Sequence, residues 1–175
     1  MTTPNPFSQQ RIGLGIDVHA FALPEARRAL VLGGVVVSHP RGLEGHSDAD
    51  VLVHAVMDAL LGAARIPGAE DIGALFPDTD PLFKDANSLE LLQKVGERIA
   101  AAGYTIEDID CVIVAQAPRL SPYREQMRAN IAQALGIPFE QVGLKATTTE
   151  HLGFEGREEG ISAHAVALIG RKTLP

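Results

Sequence analysis

Asp17 and His19, in Gly13-Leu-Gly-Ile-Asp17-Val-His19, and His54, in His46-Ser-Asp-Ala-Asp50-Val-Leu-Val-His54, are the residues whose types and spacing best suit chemistry. Alternation along a strand sets Asp17 and His19 on one face, and a helix carrying His54 completes three N/O ligands. Three such ligands with a fourth position open are the catalytic zinc pattern, whereas structural sites are closed by four ligands rich in Cys. Asp58 follows His54 by four residues, on the same helical face. A carboxylate there is placed to accept the other imidazole N–H and fix the tautomer. Taken alone, His54 reads as an ordinary surface-helix histidine; the spacing of all four residues reverses that.

Three further groups carry weaker signals. His46 and Ser47 stand where a helix begins and its free N–H groups favour phosphate. The run Lys145-Ala-Thr147-Thr148-Thr149-Glu150 gathers hydroxyls and a carboxylate at a strand end, with Phe154 and Arg157 beyond it. Hydroxyls and amides there can wrap phosphate oxygens while Glu150 holds Mg²⁺, although a Thr-rich strand end with a polar turn fits the run equally well. Ala115-Gln116-Ala117-Pro118-Arg119-Leu120-Ser121-Pro122 is a stiff turn able to read a flat base edge, or simply a capped helix start. Gly13-x-Gly15 is weak as a nucleotide fingerprint, because it lies inside a strand and lacks the third glycine.

The elements that must position these groups follow from pattern. A strand is expected over Arg11 to His19, and a hairpin from Leu30–Leu32 and Val35–Val37 about Gly33-Gly34. Ser47 reads as the N-cap of a helix reaching Leu61-Gly62, and residues 66 to 86 as a long functional loop. Asn87 or Ser88 caps a second helix to about Ala102, a strand covers Ile106 to Ala115, and Ser121-Pro122 opens a third helix closed at Gly136. Strands at Val142 to Thr147 and Ile161 to Ile169 complete the pattern. The fold class is α/β, an α+β sandwich: a mixed four-stranded sheet plus an N-terminal β-hairpin, with helices packed on one face.

At 175 residues, one domain over 11–170 is expected, between a disordered leader at 1–10 and a tail at 171–175. Fifteen basic against 22 acidic residues, net −7, argue against nucleic-acid binding, so an anionic substrate needs local cations or metals. No stretch approaches the roughly 20 apolar residues of a membrane span. Cys111, the only cysteine, sits in an apolar run and reads as a buried thiol. A cytoplasmic protein is expected.

Together Gly15-Ile-Asp17-Val-His19, His46-Ser47-Asp48-Ala49-Asp50 with His54, Asp71-Ile72-Gly73, Phe76-Pro77-Asp78-Thr79-Asp80, Ala115-Gln-Ala-Pro118 and Ala146-Thr-Thr-Thr-Glu150 resemble the 2-C-methyl-D-erythritol 2,4-cyclodiphosphate synthases over about residues 11 to 170. The resemblance implies a homotrimer with active sites at subunit interfaces. The substrate it implies is 4-diphosphocytidyl-2-C-methyl-D-erythritol 2-phosphate, cyclised with release of CMP. It implies zinc on Asp17, His19 and His54, and a second divalent cation, magnesium or manganese, at Glu150. It also carries transition-state support to His46 and Thr148, and the methylerythritol pocket to Ser47, Asp58, Asp71, Ile72, Gly73 and the Phe76 to Asp80 loop. Cytidine recognition falls on Ala115 through Ser121, Thr147 and Thr149 of the neighbouring subunit, and further ligand contact on Phe154 and Arg157.

Three positions depart from the family pattern. Arg65 to Glu70 is a few residues longer than usual, Arg119 replaces a common Lys, and His164 replaces a Glu near the trimer axis, where an ion pair with Arg157 would otherwise form. Two other readings share the same residues: a zinc phosphohydrolase with Asp48 or Asp58 as base, and a non-catalytic trimer binding isoprenoid diphosphates.

Overall fold

The computed structural model describes residues 10–77 and 79–172. Four strands form one sheet in the order β1-β6-β4-β5: β1 (Gln10–Ala20), β4 (Tyr104–Val114), β5 (Val142–Thr147) and β6 (Gly160–Arg171). β6 runs antiparallel to both β1 and β4, while β4 and β5 are parallel, so the sheet is mixed as expected. β2 (Leu30–Leu32) and β3 (Val35–Val37) form a separate antiparallel hairpin. Its turn residues Gly33 and Gly34 both have positive φ, 56° and 68°, the conformation that tight hairpins demand and glycine supplies without strain. β1 already includes Gln10, within the segment expected as leader, and β6 extends to Arg171.

Three long helices cover one face of this sheet: α1 (Val51–Ala64), α2 (Ser88–Ala101) and α3 (Arg124–Leu135). α1 packs against β1, β6 and α2, and nearly all its residues are buried, as befits a helix apolar on every side. β1 approaches it very closely. A Cβ on Gly13 would lie 2.0 Å from the Ala59 carbonyl oxygen, and one on Gly15 2.0 Å from that of Ala55. The Gly-x-Gly pair therefore serves strand-on-helix packing rather than a nucleotide. The inward residues Ile109, Cys111 and Ile113 of β4 and Ile161, Ala163, Ala165, Ala167 and Ile169 of β6 complete the core. The opposite face of β1 is apolar, and among the described residues its Ile12, Leu14, Ile16 and Val18 are exposed.

Several element boundaries differ from the sequence expectation. α1 is capped by Asp50, not Ser47: the Asp50 side chain accepts the Val53 N–H, and the Ser47 hydroxyl instead accepts that of Ala49. The helix also passes Gly62 and ends where Arg65 turns left-handed, because Ala63 and Ala64 continue the buried face. α3 begins at Arg124 without a side-chain cap, and Ser121 lies in the preceding turn, bonded to Arg119 Nε. α2 is capped by Asn87, one of the two candidates. Residues 66 to 86 contain a helical turn at Ile72–Leu75 and a 3₁₀ turn at Pro81–Phe83. The longer segment at Arg65 to Glu70 closes on itself through a bridge between Ile66 and Ala69.

Candidate active site

Strand alternation places Asp17 and His19 on the helix-facing side of β1, the side on which Gly13 and Gly15 touch α1. His54, on the first turn of α1, meets them there. Asp17 Oδ2 lies 2.9 Å from His19 Nε2 and 3.0 Å from His54 Nδ1, and the two ring nitrogens are 3.2 Å apart. One ligand atom from each residue falls within 4.8 Å of the others.

The electrostatics suit a cation. His19 Nδ1 lies 2.5 Å from the Glu44 carbonyl oxygen, which can only accept, so Nδ1 carries a proton and Nε2, facing Asp17, is the nitrogen able to exchange its proton for a metal. Burial works against the charge of Asp17, but the hydrogen bonds and charge of His19 and His54 outweigh it and hold the carboxyl well below the usual range. The same partnership raises His19 above an ordinary histidine despite its burial. An ionised carboxylate and converging imidazole nitrogens are the donor set of a divalent metal such as zinc. The residues fit the group.

His54 is oriented differently from the expectation. Its Nε2 faces two hydroxyls, Ser88 Oγ at 3.0 Å and Ser47 Oγ at 3.2 Å. Asp58, expected behind it, instead accepts the Ile72 N–H at 2.8 Å and tethers the following loop to α1. Its carboxyl is raised mainly by burial. Helical spacing allowed either partner, and the loop's half-buried amide took the carboxylate.

A cavity of about 460 Å³ opens on this cluster and is lined by Asp17, His19, His46, Ser47, His54, Ile72, Gly73, Phe76 and Pro77, with Met57, Phe83 and Leu91. Phe76 and Phe83 meet edge to face at 5.3 Å, forming an apolar wall. His46 Nε2 lies 3.3 Å from the Asp80 carbonyl. Asp71 and Asp80 are occupied as caps, accepting from Ala74 and Leu82, and Thr79 is exposed beside them. Asp78 lies outside the described residues.

The second group forms its own cavity of about 580 Å³, lined by Ala115, Gln116, Pro118, Arg119, Leu120, Ser121, Thr147 and Thr148, together with Arg124 and Lys145. It sits where the parallel strands β4 and β5 end and α3 begins, the usual place for a ligand in such a sheet. Thr148 Oγ1 donates to Glu150 Oε1 at 2.6 Å, and the Gln116 side chain accepts the His151 N–H. Thr149 bonds the Leu152 carbonyl. Ala117, in a cis peptide with Pro118, completes the turn. Glu150 and Arg157 are exposed and Phe154 is half-buried; Glu150 is not part of the Asp17 cluster, and none of the three lines the cavity beside it. Arg157 makes its ion pair with Glu159 at 2.8 Å. Within one chain, then, the two groups form separate pockets.

The sequence missed Ser88, Glu44 and Arg124. Ser88 was visible only as a cap candidate, and Glu44 acts through its backbone, which no side-chain pattern reveals.

A family model described as the YgbB family matches residues 10–170. Curated proteins named 2-C-methyl-D-erythritol 2,4-cyclodiphosphate synthase resemble the chain closely. That of Syntrophomonas wolfei is 58% identical over 91% of this chain and 98% of its own, and that of Desulforamulus reducens 54% identical over the same shares. Among solved structures, IspF of Plasmodium falciparum in a CDP complex superposes with TM-score 0.80 at 33% identity, covering 94% of this chain and 98% of that one. The bifunctional IspDF of Campylobacter jejuni gives TM-score 0.86 at 41% identity; 94% of this chain matches, spanning 43% of that longer protein.

Proposed function

This chain belongs to the YgbB family, and on that premise we propose that it cyclises 4-diphosphocytidyl-2-C-methyl-D-erythritol 2-phosphate to 2-C-methyl-D-erythritol 2,4-cyclodiphosphate and CMP, in the non-mevalonate route to isoprenoids. The carrying observation is the convergence of Asp17, His19 and His54 on the cavity that His46, Ile72, Gly73 and Phe76 also line. In the reaction a 2-phosphate oxygen attacks the β-phosphorus, a new P–O–P bond closes the ring, and the bond to the α-phosphate breaks as CMP leaves. The nucleophile is already an oxyanion, so no general base is required; catalysis rests on positioning and charge stabilisation.

The chain's own groups divide that work. Asp17, His19 and His54 would hold zinc, and Glu150 a second divalent ion, magnesium or manganese, supplying Lewis-acid charge to the diphosphate oxygens. His46 and Thr148 steady the charge spread over the reacting phosphate. Ser47, Asp58, Asp71, Ile72, Gly73, Pro77 and the Phe76 to Asp80 loop shape the methylerythritol pocket, Asp58 acting through the backbone of Ile72. The turn from Ala115 to Ser121, with Thr147 and Thr149, takes the cytidine, supported by the separate cavity at that turn. Phe154 and Arg157 add ligand contacts.

Because the two pockets are separate in one chain, the reading requires a second subunit to bring them together. We assign a homotrimer. Its support is the bare face of β1, where Ile12, Leu14, Ile16 and Val18 are each at least 50% exposed, continued by Val166 of β6. The reaction is placed in the cytoplasm, in keeping with a single buried unpaired thiol; no helix among the described residues is long and apolar enough to cross a membrane. Incubation with substrate and Mg²⁺, followed by phosphorus NMR, should show CMP and cyclic diphosphate in equal amounts. A linear product carrying ¹⁸O from labelled water would overturn the reading. Hydrolysis is already disfavoured, since Asp48 and Asp58, its candidate bases, are committed to Ser88 and Ile72.

A further inference from the structure

The two histidines of the cluster are held by different devices. His19 is fixed by a main-chain carbonyl, which no substitution can invert. His54 is backed by hydroxyls, and a hydroxyl can donate or accept. What decides its behaviour lies one residue further away.

Ser88, fully buried at the start of α2, is gripped by both oxygens of Asp48. Its hydroxyl lies 2.5 Å from Asp48 Oδ1, and its backbone N–H donates to Asp48 Oδ2 at 2.9 Å. A carboxylate only accepts, so the single hydrogen of Ser88 points to Asp48 and away from His54. Toward His54 Nε2, 3.0 Å away, Ser88 can offer only a lone pair. Ser47, the other neighbour of that nitrogen, accepts from Ala49 and keeps one lone pair and its own hydrogen, so it can follow whichever state Ser88 sets.

We propose that Asp48 and Ser88 are positioning residues that set the tautomer of His54: Asp48 draws the Ser88 hydrogen, Ser88 accepts the imidazole Nε2–H, and Nδ1 is left with its lone pair turned to Asp17 and His19. The proposal rests on the metal-binding reading of that cluster. It assigns Asp48 and Ser88, from two different helix starts, to a role in metal affinity although neither offers a ligand atom to the cluster.

Asp48→Asn gives the sharpest test, because it should invert the relay. Two backbone N–H groups compete for the amide oxygen, Ser88 at 2.9 Å and Asp50 at 3.2 Å; the shorter bond keeps the oxygen at the Oδ2 position, and the amide nitrogen faces Ser88 Oγ. That nitrogen donates, the Ser88 hydrogen must then turn to His54 Nε2, and the ring proton moves to Nδ1, where it blocks the metal. The measurements use the full chain: long-range proton–nitrogen NMR of the metal-free protein at mildly alkaline pH, and zinc affinity by competition with a chromophoric chelator.

Metal-free wild type should show His54 as the Nε2–H form. Asp48→Asn should shift it toward Nδ1–H and, like Ser88→Ala, weaken zinc binding by roughly ten- to hundredfold with an unchanged circular dichroism spectrum. An Nδ1–H tautomer in the wild type overturns the inference without any variant, as does zinc affinity within about twofold of wild type in both variants. Failure of the wild type itself to bind zinc would instead sink the metal reading, while the tautomer measurement still judges the relay.

Discussion

Asp17, His19 and His54 present acceptors to one another across distances of about 3 Å, an arrangement that repels unless a cation or proton sits among them. His54→Ala should therefore abolish stoichiometric zinc while leaving the chain folded, because the core is built from the inward faces of β4, β6 and α1 rather than around the metal. Metal analysis beside circular dichroism checks this; unfolding on loss of the metal would make zinc structural. Cys111 gives a prediction of another kind. Burial, with the charge of Asp110 adding to it, pushes its thiol up to about 12. Below pH 9 the proton is bound in folded and unfolded chains alike; between about 9 and 12 only the folded chain keeps it, so stability falls as pH rises through that window. A thiol reagent at pH 8 should label Cys111 only after denaturant is added. At this scale the sequence spoke clearly through Asp17, His19, His54 and Cys111, whose types limit what they can do. It was silent on Ser88 and the Glu44 carbonyl, because hydroxyls and backbone groups take their roles from whatever the fold sets beside them.

Among the elements, α1 and β1 are joined more tightly than side chains allow. Gly15→Ala would drive a methyl group to 2.0 Å from the Ala55 carbonyl oxygen, and backbone on both sides leaves little room to yield. A loss of about 1–3 kcal/mol or more is expected in denaturant unfolding, together with weakened zinc binding, since Asp17 and His19 ride on the displaced strand. Asp50 ties a second junction. Its buried carboxylate caps α1 and also accepts the Gly33 and Gly34 N–H groups of the hairpin turn. Asp50→Ala strands three donors, two of them buried, and should cost about 3 kcal/mol by the same measurement, with Asp50→Asn milder. The hairpin and β5 matched their sequence limits because Gly-Gly and dense β-branched residues act locally. The start of α1 did not, because Ser47 and Asp50 are equally good caps and only the hairpin, distant in sequence, chooses between them.

For the molecule as a whole, the proposed trimer can be tested at the outward face of β1. The double substitution Leu14→Asp with Ile16→Asp places two charges on that face without touching the core. Sedimentation should then show monomers with native circular dichroism and retained zinc, but cyclisation reduced essentially to background, since the nucleotide pocket would have no metal cluster opposite it. A monomer with full activity would refute the shared site. The mixed four-stranded sheet and the facing of the helices were legible in the alternation of strand and helix patterns, whereas the strand order β1-β6-β4-β5 was not. The separation of the two pockets within one chain was anticipated only through the family resemblance, because sequence order alone says nothing about which copy of a residue completes a site.

One consequence of the pleat of β1 concerns insertions and deletions. Its odd-numbered residues from Gly13 to His19 face α1 and the cluster, and its even-numbered residues from Ile12 to Val18 face outward. Losing or gaining a single residue within this stretch would exchange the two sets beyond that point, pressing Ile and Leu side chains into the space only glycine fills and turning both ligands away from α1. A change of two residues would restore the facing. The length of this strand should therefore drift, if at all, in steps of two, a constraint that substitution patterns alone would not disclose.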